Sequence, residues 1–432
     1  MPELRTTAPS TAKPATMRKV ALASFIGSAI EYYDFYIYGM AAALVFPHVF
    51  FPDLSPTLAT VSSFATFAVA FLVRPIGSAF FGHYGDRLGR KKTLIATLLI
   101  MGLSTTAIGL VPSASTIGAA APLALILLRA LQGFAVGGEW SGAVLLTAEY
   151  APDRDRGRFG MYPQVGVGTG LVLSSLVFLA VSTAVGTAST ALLDWAWRIP
   201  FLLSIFLVAV ALYMRLNIAE TPVFRARETE VPRSPLRELL RAQSGRTLLA
   251  AGSMISIFTF TFIGGTYLTG YGRTVLGHSF QLVLIANLAA GIAMVLACAG
   301  SAILSDSLGR RTVILVGLVI GVPWAFAILP ILNTGSPHLF VLGIAGTFLV
   351  LGITYGPMAS FVPELFATRY RYTGAGLAYN LAGVLGGAIP PVIAGALLAA
   401  FGSLAVALLL IGSVITSLVS TLLLPETRAS RL

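Results

Sequence analysis

Charge is what this chain has least of. Only 10% of its 432 residues are Asp, Glu, Lys or Arg, while 56% are hydrophobic and mean hydropathy is +0.86. A soluble domain carries about a quarter charged residues, so an ordinary cytosolic enzyme is excluded, and such apolar content also excludes disorder. Cys298 is the single cysteine, so no internal disulfide can form. The four histidines (His48, His83, His278, His338) fall in loops or at helix ends, and neither a metal site nor a cofactor is expected. The phosphate-cradling run Gly-x-x-x-x-Gly-Lys-Ser/Thr is missing, which argues against an ATP-driven pump. A membrane sensor would need a sizeable soluble output domain, and no polar stretch is longer than 216–247.

What is present is length in apolar runs. A spanning helix needs about 20 mostly apolar residues. Such runs lie near 20–47, 58–82, 93–111, 121–150, 160–183, 198–215, 248–271, 281–304, 312–332, 339–362, 374–400 and 403–424. They predict an all-α integral membrane protein with twelve transmembrane helices. The basic excess follows them: 24 of the 28 Lys and Arg fall in the two tails and in every second loop. That alternation is the positive-inside rule with both termini cytoplasmic, and it accounts for the net charge of +11 without nucleic acid. Residues 1–19 read as a cytoplasmic tail preceding a retained first helix and not as a signal peptide. The polar insert 216–247, with Pro222, Pro232 and Pro235, reads as a cytoplasmic linker with room for a short surface helix. It separates a six-helix half, 20–215, from another, 248–424, and 425–432 forms a cytoplasmic tail.

The halves repeat each other. Asp86, Gly89 and Arg90 follow the second run, and Asp306, Gly309 and Arg310 follow the eighth, offset by 220 residues. Gly82-x-x-x-Asp86-Arg87-x-Gly89-Arg90-Lys91 resembles the signature loop of the major facilitator superfamily. Glu31-Tyr-Tyr-Asp34-Phe, Arg74-Pro75-Ile-Gly77, the run Arg129 to Trp140, Trp197-Arg198-Ile-Pro200-Phe201, Glu220-Thr221-Pro222 and Tyr379-Asn380 resemble its metabolite:proton symporter branch, in particular shikimate and related organic-acid transporters. Ser141 and Ala196 depart from that pattern without touching a charged position. The resemblance implies a pseudo-symmetric twelve-helix fold and inward, proton-coupled symport of a small carboxylate-bearing metabolite by alternating access, in a bacterial inner membrane. Span five lacks the Gly-Pro-x-x-Gly-Gly run of proton/drug antiporters. The tail after Pro425-Glu426-Thr427 is too short for the coiled-coil extension of the osmosensory betaine members. The partners expected are the metabolite, a proton and lipid, with the chain working as a monomer.

A charge at the bilayer centre costs about 2.5–3.5 kcal/mol, so those inside spans need a partner or a task. Glu31, Asp34, Arg74, Arg129 and Glu139 are such charges, all in the N-terminal half. At about 100° per residue Glu31, Asp34 and Tyr38 share one face of helix 1, and Arg129, Gln132 and Glu139 form one stripe on helix 4. The two stripes are expected to face each other across an internal cavity. Two cations against three acids leave one negative charge in excess, so one acid is expected to hold a proton. Glu31, near the bilayer midplane, is the first choice, ahead of Asp34 and Glu139. Arg129, Gln132, Tyr38 and Gln164 are the candidates for substrate in the N-terminal half, and Tyr267, Tyr355, Tyr379 and Asn380 in the other. Asp86, Arg87, Arg90, Asp306 and Arg310 are expected to gate, together with Arg74, for which snorkelling toward the nearby cytoplasmic end of helix 2 is the alternative.

Overall fold

The structure, a computed structural model, describes residues 14–88, 90–152, 154–186, 190–216, 235–367 and 371–428. The side chains of 14–16, 82–92, 146, 149–150 and 235–236 lie outside that description. Asp86, Arg87 and Arg90 are thus placed as chain only, and most of the expected linker, 217–234, is likewise outside it.

Among the described residues twelve long helices pack into one bundle. They are α1 (Pro14–Leu44), α2 (Pro56–Leu88), α3 (Arg90–Leu110), α4 (Ala120–Val136 and Glu139–Tyr150), α5 (Arg156–Val185) and α6 (Arg198–Leu216, preceded by a π turn at Leu192–Ala196). There follow α7 (Pro235–Phe262, a π turn at Ile263–Tyr267, then Leu268–Thr274), α8 (Phe280–Leu308), α9 (Arg310–Leu332), α10 (Pro337–Tyr355 and Met358–Glu364), α11 (Arg371–Ala382, a π turn at Gly383–Ala388, then Ile389–Phe401) and α12 (Ser403–Leu423). Eleven are long and apolar enough to cross a membrane. α1 is long enough too, but Glu31, Asp34 and four tyrosines dilute its apolar character. It makes up for this by position. From Tyr32 to Tyr38 every residue is at most 5% exposed, so α1 lies inside the bundle while its neighbours meet the outside. The outer surface is apolar instead: Leu127, Phe206, Leu296, Leu342 and Phe401 are 63–74% exposed, which suits lipid and not water.

The helix contacts repeat with a shift of six. α1 packs on α5 as α7 packs on α11, α2 on α4 as α8 on α10, and α3 on α6 as α9 on α12. Between the two sets, α5 lies against α8 and α2 against α11. Glycine makes the α2–α4 crossing close. A Cβ on Gly133 or Gly137 would enter the α2 backbone at Ala70 or Arg74.

The breaks fall where the sequence weakens the hydrogen-bond ladder. Span four, read as one helix, divides at Gly137-Gly138. α10 breaks before Pro357. In α11, Pro390 and Pro391 have no N–H to offer the carbonyls four residues back, and the ladder widens into the π turn just before them. The second part of the expected linker is helical: α7 starts at Pro235 and bends at Gln243 (φ −139°, ψ 27°).

Candidate functional site

Asp34 is fully buried and turned away from the interface between the two sets of six helices. Ser204 of α6 donates to one carboxylate oxygen at 2.6 Å, and Thr105 of α3 to the other at 2.8 Å. Thr105 in turn accepts from the Gln132 amide at 2.7 Å, and the Gln132 carbonyl accepts from Arg129. The Arg129 guanidinium lies over the Tyr38 ring at 3.8 Å and reaches the Phe67 carbonyl at 3.4 Å. Tyr38 spends its hydroxyl on Thr66 at 2.6 Å. The polar stripes of α1 and α4 therefore meet, but through Gln132 and Thr105 and not across an open cavity. Asp34, Arg129 and Gln132 are all 0% exposed.

Glu139 forms an ion pair with Arg215, in the last turn of α6. Arg215 also donates to the Leu94 carbonyl at 2.5 Å. This corrects the charge count. The central cluster holds three cations (Arg74, Arg129, Arg215) against three acids (Glu31, Asp34, Glu139), so it has no negative excess when all are ionised. Reading Arg215 as an ordinary loop charge hid it, because its long side chain reaches back into the bundle with only 14% of it exposed.

Two central charges stand alone. Glu31, 4% exposed, makes neither a hydrogen bond nor an ion pair with the described residues, although Glu139, Arg74, Arg215 and Asp34 all act on it electrostatically. Arg74, 2% exposed, is likewise without a carboxylate or hydrogen-bond partner among them. Its guanidinium lies against the Phe35 and Phe71 rings on two adjacent sides, each centroid 4.3 Å away and the centroids 5.9 Å from one another. It does not snorkel to a helix end; the rings of α1 and α2 hold it in the middle of the bundle.

The interface between the two sets is aromatic. The hydroxyls of Tyr32 and Tyr379 hydrogen-bond, and the Trp140 ring stacks on Tyr379 at 4.0 Å, within 6° of parallel. Gln164 donates to the Tyr355 carbonyl at 2.9 Å. Buried polar atoms are left over here: the Tyr36 hydroxyl, Trp140 Nε1, Ser141 Oγ and Gln164 Oε1 have no partner among the described residues. Asn380 is committed instead to the α4 break, donating to the Gly137 carbonyl at 2.9 Å while Tyr372 donates to Gly138 at 2.7 Å. Tyr267 stacks on Tyr271, and its hydroxyl points to the Ala394 carbonyl at 3.4 Å.

A second polar group lies at the end of the bundle where α1 begins and α12 finishes. Asp306 of α8 accepts from the Gly157 and Arg158 backbone N–H groups, both at 2.8 Å, and so caps the first turn of α5. Arg310 holds Asp306 at 2.6 Å and lies 3.7 Å from Glu364, which Arg156 approaches at 3.8 Å. Thr427 donates to Glu364 at 2.6 Å, and Glu426 accepts from the Arg310 and Arg311 N–H groups that open α9. The structure thus brings Asp306 and Arg310 together and adds Glu364, Arg156 and Glu426 to them.

The family model of the Major Facilitator Superfamily matches residues 24–391. Among curated proteins, the inner membrane metabolite transport protein YhjE of Escherichia coli K12 is 42% identical over 417 residues, covering 95% of this chain and 94% of that one. The shikimate transporter of the same organism is 38% identical over 423 residues, covering 95% of each. Among solved structures, a D-xylose-proton symporter superposes with a TM-score of 0.74 at 18% identity, over 96% of this chain and 99% of that one, a likeness of fold. The match over most of the chain, the twelve-helix bundle and its six-helix repeat agree: this chain belongs to the major facilitator superfamily, a multi-pass membrane transporter and not an enzyme.

Proposed function

We propose that this protein takes up a small carboxylate-bearing metabolite together with a proton, by alternating access, across a bacterial inner membrane. Both termini face the cytoplasm, and the chain works as a monomer whose halves, 20–215 and 248–424, rock about the buried cluster. The observation that carries the reading is Glu31: a buried carboxyl with no hydrogen bond or ion pair among the described residues, while Asp34 and Glu139 each have fixed partners. An acid in a dry place without a fixed counter-ion is the group for which gaining and losing a proton disturbs least else.

Coupling then follows from charge balance. With every group ionised the cluster is neutral, and an entering carboxylate makes it negative by one. A proton on Glu31 restores neutrality, so each ligand favours the other, and the linkage is reciprocal. The names of the relatives, metabolite and shikimate transporters, agree with a carboxylate cargo. A relative at 35% identity is a proline/betaine transporter, but a zwitterion would bring no net charge for Glu31 to balance.

The test is uptake by proteoliposomes of radiolabelled shikimate, other hydroxy acids and glycine betaine, with and without an imposed inward proton gradient. The reading expects accumulation of an acid that depends on the gradient. Gradient-independent uptake, or accumulation of betaine alone, would contradict it.

A further inference from the structure

We infer that the substrate's carboxylate is received by Arg74, and that the cargo is a monocarboxylate bearing neutral hydroxyl groups; this rests on the reading of carboxylate uptake above.

The two central arginines differ in what they have left to give. Arg129 is engaged at both Nη atoms and has only Nε left over: Gln132 takes one Nη, the Phe67 carbonyl lies near the other, and through Gln132 and Thr105 it is joined to Asp34. Arg74 donates no hydrogen bond to any described residue. The Phe35 and Phe71 rings touch its guanidinium from adjacent sides, each centroid 4.3 Å from Cζ and the two centroids 5.9 Å apart. Ring contacts supply no oxygen acceptor, and no described residue accepts a hydrogen bond from Arg74, so its N–H donors remain available to a ligand. A planar, two-pronged donor edge held at fixed orientation matches a carboxylate. A buried guanidinium with no acceptor carries a large desolvation cost, which an arriving anion would remove.

The position also suits a transporter. Phe71 packs edge-on against Phe262 at 4.9 Å, and its ring faces the Gly383–Ala388 π turn where Gly387 allows close approach. Arg74 therefore sits on the seam that must part for either face to open. The unpartnered atoms near the same seam, the Tyr36 hydroxyl, Trp140 Nε1 and Gln164 Oε1, are neutral. They suit hydroxyl groups on the cargo. A second carboxylate would find no second unengaged cation among the described central residues.

The experiment is thermal stabilisation of the purified, detergent-solubilised protein by shikimate, D-gluconate and lactate, by the methyl ester of shikimate, and by malate and citrate. The acid giving the largest shift then serves as the probe for affinity. Wild-type protein stabilised by none of the acids would contradict the carboxylate reading itself. If the acids bind, the assignment expects Arg74→Gln to weaken the probe acid at least tenfold and Arg74→Lys to recover part of that loss. In the wild type it expects the ester to bind at least tenfold more weakly than shikimate, and malate and citrate to bind more weakly than the monocarboxylates. The wild-type comparisons stand even if neither variant folds. Undiminished binding by folded Arg74→Gln would overturn the assignment to Arg74, and tighter binding of malate or citrate would overturn the monocarboxylate class.

Discussion

Glu31 and Asp34 lie one helical turn apart on α1, yet they share no partner: Asp34 is fixed by Ser204 and Thr105, and Glu31 by none of the described residues. One turn of helix separates an acid built into the scaffold from an acid left free to change state.

Asp34→Asn should therefore act mainly on stability. A charged hydrogen bond contributes about 1.5–3 kcal/mol, and the substitution weakens two while leaving Arg129 without its relayed counter-charge. The melting temperature should fall by several degrees and the uptake rate should drop, but the accumulation reached under a fixed proton gradient should stay near wild type. Loss of accumulation in well-folded Asp34→Asn would return this residue to the proton path.

The Glu139–Arg215 pair is open to a double-mutant cycle. Breaking a buried pair from one side costs about 3–5 kcal/mol, somewhat less here because Arg215 keeps limited contact with the outside. Glu139→Gln and Arg215→Gln should each lower thermal stability more than the double variant requires, with a coupling above about 1 kcal/mol. Additive effects would mean the pair contributes nothing as a pair.

At the other polar group, Asp306→Asn should loosen the contact between α8 and the first turn of α5. Couplings of this kind are roughly 1–3 kcal/mol, enough to shift state populations severalfold or more. In a Cys298→Ala background, labelling of Ser360→Cys, which in the native chain bonds the Arg156 carbonyl, should speed up by that factor. Unchanged labelling would reduce Asp306 to a local helix cap.

Topology can be read directly. A reporter of cytoplasmic location should respond when fused after residue 432, within 217–234 or near Lys92, and be silent near Pro52 or Pro337. A response at Pro337 would break the twelve-span order.

The fold was legible because its signals are long: twelve apolar runs, basic loops alternating with bare ones, and a 220-residue repeat of Asp-x-x-Gly-Arg. The buried charges were legible because each stands out against an apolar run. Their partners were not. Arg215 sits where a run ends, and only its path back to Glu139 distinguishes it from a loop charge. Ser204 and Thr105 are ordinary residues in apolar helices until a carboxylate is found between them. Helical angles placed Glu31 and Asp34 on one face, but 60° is enough for two short side chains to find different neighbours when every side of the helix is packed. The partner of Asn380 was hidden as well, because the break in α4, which frees the Gly137 carbonyl for it, could not be foreseen from two glycines.

The most direct test is made on Glu31→Gln, which imitates the protonated acid. Reconstituted beside wild type, it should exchange labelled acid across the membrane in counterflow at a comparable rate. It should fail to accumulate the acid when a proton gradient is imposed, and its apparent affinity should lose its dependence on pH. Gradient-driven accumulation by Glu31→Gln equal to wild type would show that the proton travels elsewhere.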